Sequence, residues 1–489
     1  MSNQKTSNFN QVLWLGIGQI GNYGITFLST IILSRYLLKE DYGTFRQIIY
    51  IYMTLMAIFT IGFPTVFSYF IPKLTINQQK TLITSLNRVF LLLGAIFSVF
   101  LYVFSSLIAD LLKNPDLSIG LKLFSPFPLF TLPALGVEGI YTALRETKKV
   151  AFYQISTRLF MLLCTVLPVI FFKADYKLAI IGWGIASFIS FLIAMYMKNK
   201  PYLNVHKEPI PDMFKTITDY TLPLMGAFIA GFFINSADQF YISRFYGTEA
   251  FADYSNGCIS VPIVAIVAMS VKKVLLPVFS KAHSKGEISD AIKTYINAVK
   301  KSINILFPVI IFSIFFSKQI FIFIYGTNYS SSDNYFRFYV IRDFLEILPY
   351  FTLFLSMGMS RIYFYIHLFG AIFVWFFGYI VVKSGLDASM IVLVRSMFYL
   401  LSSCYAILYL YQKKKINILP KLLIYQFLIV IIHSIVCAFL TNYIISFINT
   451  SVIINILIYS VIIYYILIIS TGYFIKINYM EPFFKLLRK

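Results

Sequence analysis

Roughly fourteen segments of this sequence are long and apolar enough to cross a membrane, and no other feature restricts the fold as severely. A hydrocarbon core about 30 Å thick takes roughly 20 residues of helix. Runs of that kind lie near 11–34, 46–71, 82–108, 119–143, 152–172, 177–197, 216–242, 252–277, 291–318, 335–359, 361–382, 386–411, 419–446 and 452–476. In lipid every backbone polar group must be satisfied within its own segment, so these runs read as helices. With 59% hydrophobic and 12% charged residues, the 489-residue chain has too little polar surface to enclose a soluble core. The expected class is an all-α integral membrane protein.

The amino-terminal MSNQKTSNFNQ leads into a first apolar run longer than a signal-peptide core and without a small-residue cleavage site, so it is expected to be retained. The formal charge of +21 would suggest nucleic acid in a soluble domain, but here its placement follows the spans. With a cytoplasmic amino terminus, the inner loops hold Lys73 and Lys80, then Arg145, Lys148 and Lys149, then Lys198, Lys200, Lys207 and Lys215, then Lys281 and Lys285, then Lys413 to Lys415 and Lys421, and finally Lys485, Arg488 and Lys489. Outer loops mix their cations with carboxylates: Lys39 with Glu40 and Asp41, Lys113 with Asp110 and Asp116, Lys173 and Lys177 with Asp175, Arg244 with Glu249 and Asp253. This positive-inside pattern predicts that both termini are cytoplasmic, and no nucleic-acid partner is expected.

A phrase is written twice. SRYLLKEDYGTF at 34–45 and SRFYGTEAFADY at 243–254 align at an offset of about 210 residues. Val66-Phe67-Ser68 with Val278-Phe279-Ser280, Phe152-Tyr153 with Phe364-Tyr365, and Lys173 with Lys383 repeat nearly the same shift. That offset is six spans, which predicts two six-helix halves of like orientation, 1–209 and 210–415, followed by two additional helices and a tail over 416–489. Transporters built this way carry substrate between their halves.

Polar positions inside spans mark the candidate pathway. The first span carries Gln19, Asn22, Thr26, Ser29 and Thr30 on one helical face, and the seventh carries Asn235, Asp238 and Gln239 at corresponding positions. An ionisable residue near the bilayer centre costs on the order of 2.5–3.5 kcal/mol, so each one calls for a reason. Glu138, Arg158, Asp238, Arg342, Asp343, Glu346 and Arg395 fall within spans, and Arg88 stands near the start of one. Arg342 and Glu346 are spaced to neutralise one another. Arg158 and Arg395 have no carboxylate one turn away, as suits an anionic ligand. Substrate-cavity candidates are Asn22, Arg35, Arg158, Asn235, Arg244, Arg342 and Arg395. Candidates for ion coupling are Asp238 and Glu138. The alternatives are ordinary hydrogen bonding between helices for the polar stripes, and helix-ending loops for Arg35 and Arg244.

Enzyme signals fail on context. GIGQIG at 16–21 matches a dinucleotide fingerprint but lies within a spanning helix, where close packing explains the glycines. Cys164, Cys258, Cys404 and Cys437 sit in apolar runs without CxxC spacing, and His206, His283, His367 and His433 are scattered. No nucleophile–base arrangement, metal-ligand set or Walker motif is visible, so no enzyme activity and no cofactor is expected, and directional transport would draw on a proton or sodium gradient or on consumption of product. Pro64, Pro133, Pro168, Pro262, Pro308 and Pro349 lie within spans and predict kinks, paired between the copies in spans 2, 4, 8 and 10.

The polar-striped, glycine-rich first span ending in Ser34-Arg35, followed by the Asp41-Tyr42-Gly43 triplet, resembles the bacterial polysaccharide-unit flippases, the O-antigen and capsule exporters of the multidrug, oligosaccharidyl-lipid and polysaccharide exporter superfamily. The specific signal is concentrated between Gly16 and Gln47; the second copy has Ala250-Phe251-Ala252 in place of the triplet. The resemblance implies a multi-pass protein of the bacterial inner membrane that flips a polyprenyl-pyrophosphate-linked oligosaccharide to the outer leaflet through a cationic cavity, with glycan polymerase and chain-length proteins as candidate partners. An ion-coupled multidrug or cation antiporter of the same superfamily is the alternative. A membrane glycan polymerase or ligase is less well supported, because no loop is long enough to carry its catalytic residues.

Overall fold

The computed structural model describes residues 8–60, 63–173, 175–285, 288–448, 452–475, 477 and 479, and every described regular element is helical. Lys485, Arg488 and Lys489, assigned above to a cytoplasmic tail, lie outside the described residues. By backbone proximity the chain divides into two compact units, Met1–Ala252 and Asp253–Lys489.

The first unit contains α1 (Asn8–Tyr36), α2 (Lys39–Thr60), α3 (Phe63–Phe70), α4 (Ile76–Leu112), α5 (Asp116–Phe124), α6 (Phe127–Ala134), α7 (Val137–Ala143), α8 (Thr147–Phe172), α9 (Tyr176–Asn199), α10 (Met213–Phe245) and the start of α11 (Gly247–Gly257). The second continues with α12 (Pro262–Lys285), α13 (Ile288–Phe315), α14 (Ser317–Tyr325), α15 (Ser332–Tyr339), α16 (Ile341–Glu346), α17 (Tyr350–Ser356), α18 (Ser360–Lys383), α19 (Ser389–Lys414), α20 (Lys421–Ser446) and α21 (Ile453–Gly472). α10 packs on α2 and α4 and so lies with the first unit.

Among the described residues, eight helices are long and apolar enough to cross a membrane: α4, α8, α9, α13 and α18 through α21. Counting two bent pairs as one span each gives up to ten. The polar stripes belong to α1 and α10, and α2 opens on Lys39, Glu40 and Asp41.

Local chemistry sets the boundaries. Thr75 caps α4 in a reciprocal box, accepting from Gln78 N at 3.3 Å while its own N–H donates to Gln78 Oε1 at 3.3 Å. Asp175 caps α9 by accepting from Lys177 N at 3.1 Å. α1 lies along α8, and the glycines of the 16–21 run serve that packing unequally. Gly18 faces Ala151 and Gln154, Gly21 faces Ile155, and Gly16 has nothing within 4 Å. All four cysteines are free thiols.

Among the described residues, three spans expected to be continuous are broken. The run near 119–143 comprises α5, α6 and α7 and bends by 48° between Phe124 and Phe127, at Pro126 rather than at Pro133. A second interruption follows at Gly136, whose φ of +92° is open to glycine at no steric cost, and where a Cβ would strike the Phe67 ring. The 252–277 run bends by 56° between α11 and α12, with Pro262 opening α12. The 335–359 run is divided among α15, α16 and α17, with Pro349 directly before α17. Pro168 and Pro308 sit inside the unbroken α8 and α13, so proline alone does not decide where a helix breaks.

The last two helices dock within the second unit. Gln426 of α20 donates to Asn304 Oδ1 at 2.6 Å, and Tyr464 of α21 donates to the Pro308 carbonyl at 2.9 Å, both on α13.

Candidate substrate-binding sites

In the first unit two of the candidates, Asn22 of α1 and Arg158 of α8, come together. Arg158 donates through Nε to Asn22 Oδ1 at 2.5 Å and through Nη1 toward the Met161 sulfur at 3.4 Å. Both partners are neutral, and among the described residues no carboxylate stands within ion-pair distance of Arg158. The guanidinium is half-buried, with part of its surface open. Tyr153 lies within electrostatic reach of both Arg158 and Glu138, and Tyr52, which donates to Thr131 Oγ1 at 2.9 Å, lies within reach of Arg158. Glu138 itself is exposed in the first turn of α7.

The remaining stripe residues separate by burial. Thr26 and Thr30 turn their hydroxyls back to carbonyls four residues earlier on α1, at 2.7 and 3.1 Å. Asn235 is exposed and donates to the Gly231 carbonyl of its own helix. Asp238 is fully buried, at 0% exposure, accepts from Gln239 N at 3.1 Å, and lies within electrostatic reach of Tyr50 on α2.

The twice-written phrase acquires a geometry at the neighbouring ends of α2, α4 and α10. Asn114, just past α4, donates to Thr44 Oγ1 at 3.0 Å and to Gln47 Oε1 at 2.6 Å; Gln47 Nε2 in turn donates to Ser243 Oγ at 2.7 Å. All of these side chains are buried. Gly43, the glycine of the triplet, faces the Thr248 carbonyl so closely that no Cβ fits. Arg244 donates to the Leu111 carbonyl. Arg35, its counterpart in the first copy, is exposed. Ser243 and Arg244 therefore fasten helices together in this state.

The second unit has its own cationic cluster. Two guanidinium groups, Arg342 and Arg395, each lie 5.2 Å from the Tyr339 ring centroid. Arg342 also lies 5.6 Å from the Tyr399 ring and pairs with Glu346 at 3.0 Å, as the i,i+4 spacing predicts. Lys272 of α12 reaches the other Glu346 oxygen at 3.6 Å. Arg395 is 5% exposed, whereas a quarter of the Arg342 side chain is accessible. Asp343 faces elsewhere: its buried Oδ2 accepts from Val261 N at 2.8 Å, holding the start of α12.

Two arrangements were not visible in the sequence. Lys198, assigned above to a cytoplasmic loop, is instead fully buried at the end of α9 and donates to Asn87 Oδ1 at 2.9 Å and the Pro133 carbonyl at 2.7 Å. His433 bridges Tyr479 at 2.8 Å and Thr471 at 2.7 Å, with Cys437 Sγ 3.6 Å away, tying the segment after α21 to α20.

Residues 9–283, more than half of the chain, match the family model described as polysaccharide biosynthesis protein. The chain belongs to the polysaccharide biosynthesis protein family. No curated protein matches the sequence. Similarity of this family member to solved structures is broad in shape and low in sequence. A lipid II flippase MurJ in an inward closed conformation aligns with a TM-score of 0.71 at 14% identity, covering 95% of this chain and 99% of that one. An inward-facing multidrug-resistance transporter of the MATE family aligns with a TM-score of 0.65 at 13% identity, over 83% of this chain and 98% of that one. A MOP superfamily transporter from Pyrococcus furiosus gives 0.55 at 14% identity, over 82% and 94%. The polysaccharide biosynthesis protein thus shares its fold with these three proteins.

Proposed function

We propose that this protein is a flippase that moves a polyprenyl-pyrophosphate-linked oligosaccharide from the inner to the outer leaflet by alternating access. The observation that carries the reading is Arg158, a guanidinium inside a membrane-spanning helix whose partners are an amide oxygen and a thioether. A cation kept at that depth without a counter-ion is suited to an anionic group that arrives and leaves, and the planar fork of arginine matches a phosphate. Family membership and the fold likeness to a lipid II flippase support a lipid-linked glycan as cargo.

The same reading takes the chain as fourteen spans: two six-helix halves of like orientation, 1–209 and 210–415, with α20 and α21 appended and both termini cytoplasmic, in a bacterial inner membrane. The flippase likeness covers 95% of the chain and the multidrug likenesses 83%, which favours the longer count. Asp238 is the preferred ion-coupling residue over Glu138, because it is buried beside Tyr50 whereas Glu138 is exposed. Asn22, Arg35, Asn235, Arg244, Arg342 and Arg395 are retained as cavity candidates, with Asn22 acting through its bond to Arg158.

The test uses proteoliposomes carrying a labelled polyprenyl-pyrophosphoryl oligosaccharide whose glycan becomes accessible to an added glycosidase only after flipping. Arg158→Ala should slow exposure at least tenfold with normal protein yield, and Arg158→Lys should recover part of it. An unchanged rate in both variants, or accumulation of an organic cation in place of glycan exposure, overturns the assignment.

A further inference from the structure

An apolar cavity of about 550 Å³ opens between α18 and α19, both of which meet the length and hydropathy of membrane-crossing helices. That volume falls within the roughly 300–1,000 Å³ of ordinary ligand sites. Its rim is turned outward: Tyr365 and Phe369 on α18 are 64% and 59% exposed, and Leu401 and Tyr405 on α19 are 51% each. Its floor is Phe398 and Ser402, both buried. The depth depends on Gly370, because the Phe398 ring occupies the space a Cβ would take there and so seats against the α18 backbone. Water-soluble ligands gain little from such walls at this depth. An apolar chain gains contact along its whole length.

What distinguishes the groove from other dents in a lipid-facing surface is the charge beside it. Phe398, Ser402 and Tyr405 follow Arg395 at three, seven and ten residues, so the arginine and the groove share one face of α19, within about 15 Å along the axis. The Phe398 ring touches Tyr399 at 5.4 Å, and Tyr399 lies 5.6 Å from the Arg342 guanidinium. Around Tyr339 and Glu346 stand three cations, Arg342, Arg395 and Lys272, against two carboxylates among the described residues: Glu346, which pairs with Arg342 and Lys272, and Asp343, which accepts from Val261 N and lies within electrostatic reach of Arg342. A net cationic cluster therefore adjoins an apolar, aromatic-walled trough.

We infer that the groove between α18 and α19 is a binding site for the isoprenoid tail of a lipid-linked pyrophosphate, its anionic head drawn toward Arg342. A methyl-branched, unsaturated chain fills a broad aromatic-walled groove with more contact per length than a straight acyl chain. The inference rests on the proposed flippase function and deepens it: the tail is held by the protein at this position instead of trailing freely in the bilayer.

The experiment places a benzophenone amino acid at position 405 or 369, and as a control at position 379, a lipid-facing tyrosine farther along α18 that is 51% exposed and outside the groove. The proteins are reconstituted in phosphatidylethanolamine and phosphatidylglycerol with radiolabelled polyprenyl pyrophosphate, then irradiated. Positions 405 and 369 should take up label at least fivefold more than 379, and unlabelled polyprenyl pyrophosphate should compete where excess phosphatidylglycerol does not. Ser402→Trp, which fills the floor, should reduce labelling at 405 to the control level. Equal labelling at all three positions, or adducts only with phospholipid, overturns the site. Flipping by the same preparations separates the two ideas: active flipping with uniform labelling removes the groove alone, whereas absent flipping removes the function regardless of labelling.

Discussion

Lys198 is a cation that folding places where membrane topology alone would not, and its replacement should reveal a structural role. Its Nζ donates to Asn87 Oδ1 at 2.9 Å and to the Pro133 carbonyl at 2.7 Å, and lies 5.1 Å and 5.8 Å from the Phe67 and Phe90 rings. Lys198→Ala orphans two buried acceptors at about 1–3 kcal/mol each. It also strips three methylenes from contact, at about 0.8 kcal/mol each. Against this, removing the ammonium relieves a desolvation cost of several kcal/mol. The balance is a loss of about 3 kcal/mol for Ala. Lys198→Met keeps most of the stem and should lose about 1–2 kcal/mol, the Pro133 carbonyl being the acceptor that cannot turn away. At roughly 2 °C per kcal/mol for a large domain, the Ala variant should melt about 6 °C lower in detergent, followed by thermostability on size exclusion. A shift under about 2 °C for Ala would refute the argument. So would ready modification of Lys198 by an amine-reactive ester in the folded protein, because a side chain that is 0% exposed should be protected.

Gln47→Leu breaks the contact with Ser243 and leaves the Asn114 amide one acceptor short; if this network holds the closed ends of α2, α4 and α10 together, a cysteine at position 243 should become at least several-fold more reactive to a water-soluble maleimide. Gly43→Ala acts at the same place through backbone collision with Thr248 and should lower thermal stability by about 1–3 kcal/mol, with an unchanged melting point counting against the close approach. Asp41, in the first turn of α2, has its carboxyl raised above the usual 3.8, first by burial and then by Asp175, Asp116 and Glu40. Its contribution to stability is therefore fully present below pH 3.8 and is lost as pH rises through the higher folded value, so Asp41→Asn should flatten the melting temperature across the mildly acidic range. Asp238→Asn should abolish the response of flipping to an imposed proton or sodium gradient while leaving protein yield normal; an undiminished response assigns Asp238 to packing.

The helical membrane class could be read from the sequence because it rests on run length and composition, which are local. The Arg342–Glu346 pair was equally readable, since i,i+4 spacing fixes proximity on a helix. Breaks within spans were harder: Pro126 stands at the bend of its span, whereas Pro168 lies inside an unbroken helix, and nothing in the local sequence separates the two. The Asp41-Tyr42-Gly43 triplet stood out as a signature without disclosing its purpose. Tyr42 is buried and Gly43 abuts Thr248, more than two hundred residues away, and no local pattern contains that contact. Tyr339 is silent in the sequence, because an aromatic residue in an apolar run carries no signal until folding brings two arginines within 5.2 Å of its ring centroid.

Lys198 and Asp343 together explain why ionisable residues inside spans were difficult to sort by type. Each serves a broken helix. The Pro133 carbonyl belongs to the last turn of α6, where unpaired carbonyls and the helix dipole favour a cation, and Lys198 supplies it. Val261 N stands immediately before α12, where unpaired N–H groups need an acceptor, and Asp343 supplies it. Both side chains are fully buried, and each receives a backbone partner that a sequence lists only as another residue. A charge satisfied by the end of a helix cannot be given to a ligand without leaving that end bare. Arg158 is differently placed, because its partners are an amide side chain and a sulfur, and releasing them for a phosphate exposes no backbone group. The partner of a buried ion, rather than its sign or depth, therefore separates the cations that hold the fold from those left for cargo, and by that criterion Arg158 is the residue whose replacement should cost transport without costing stability.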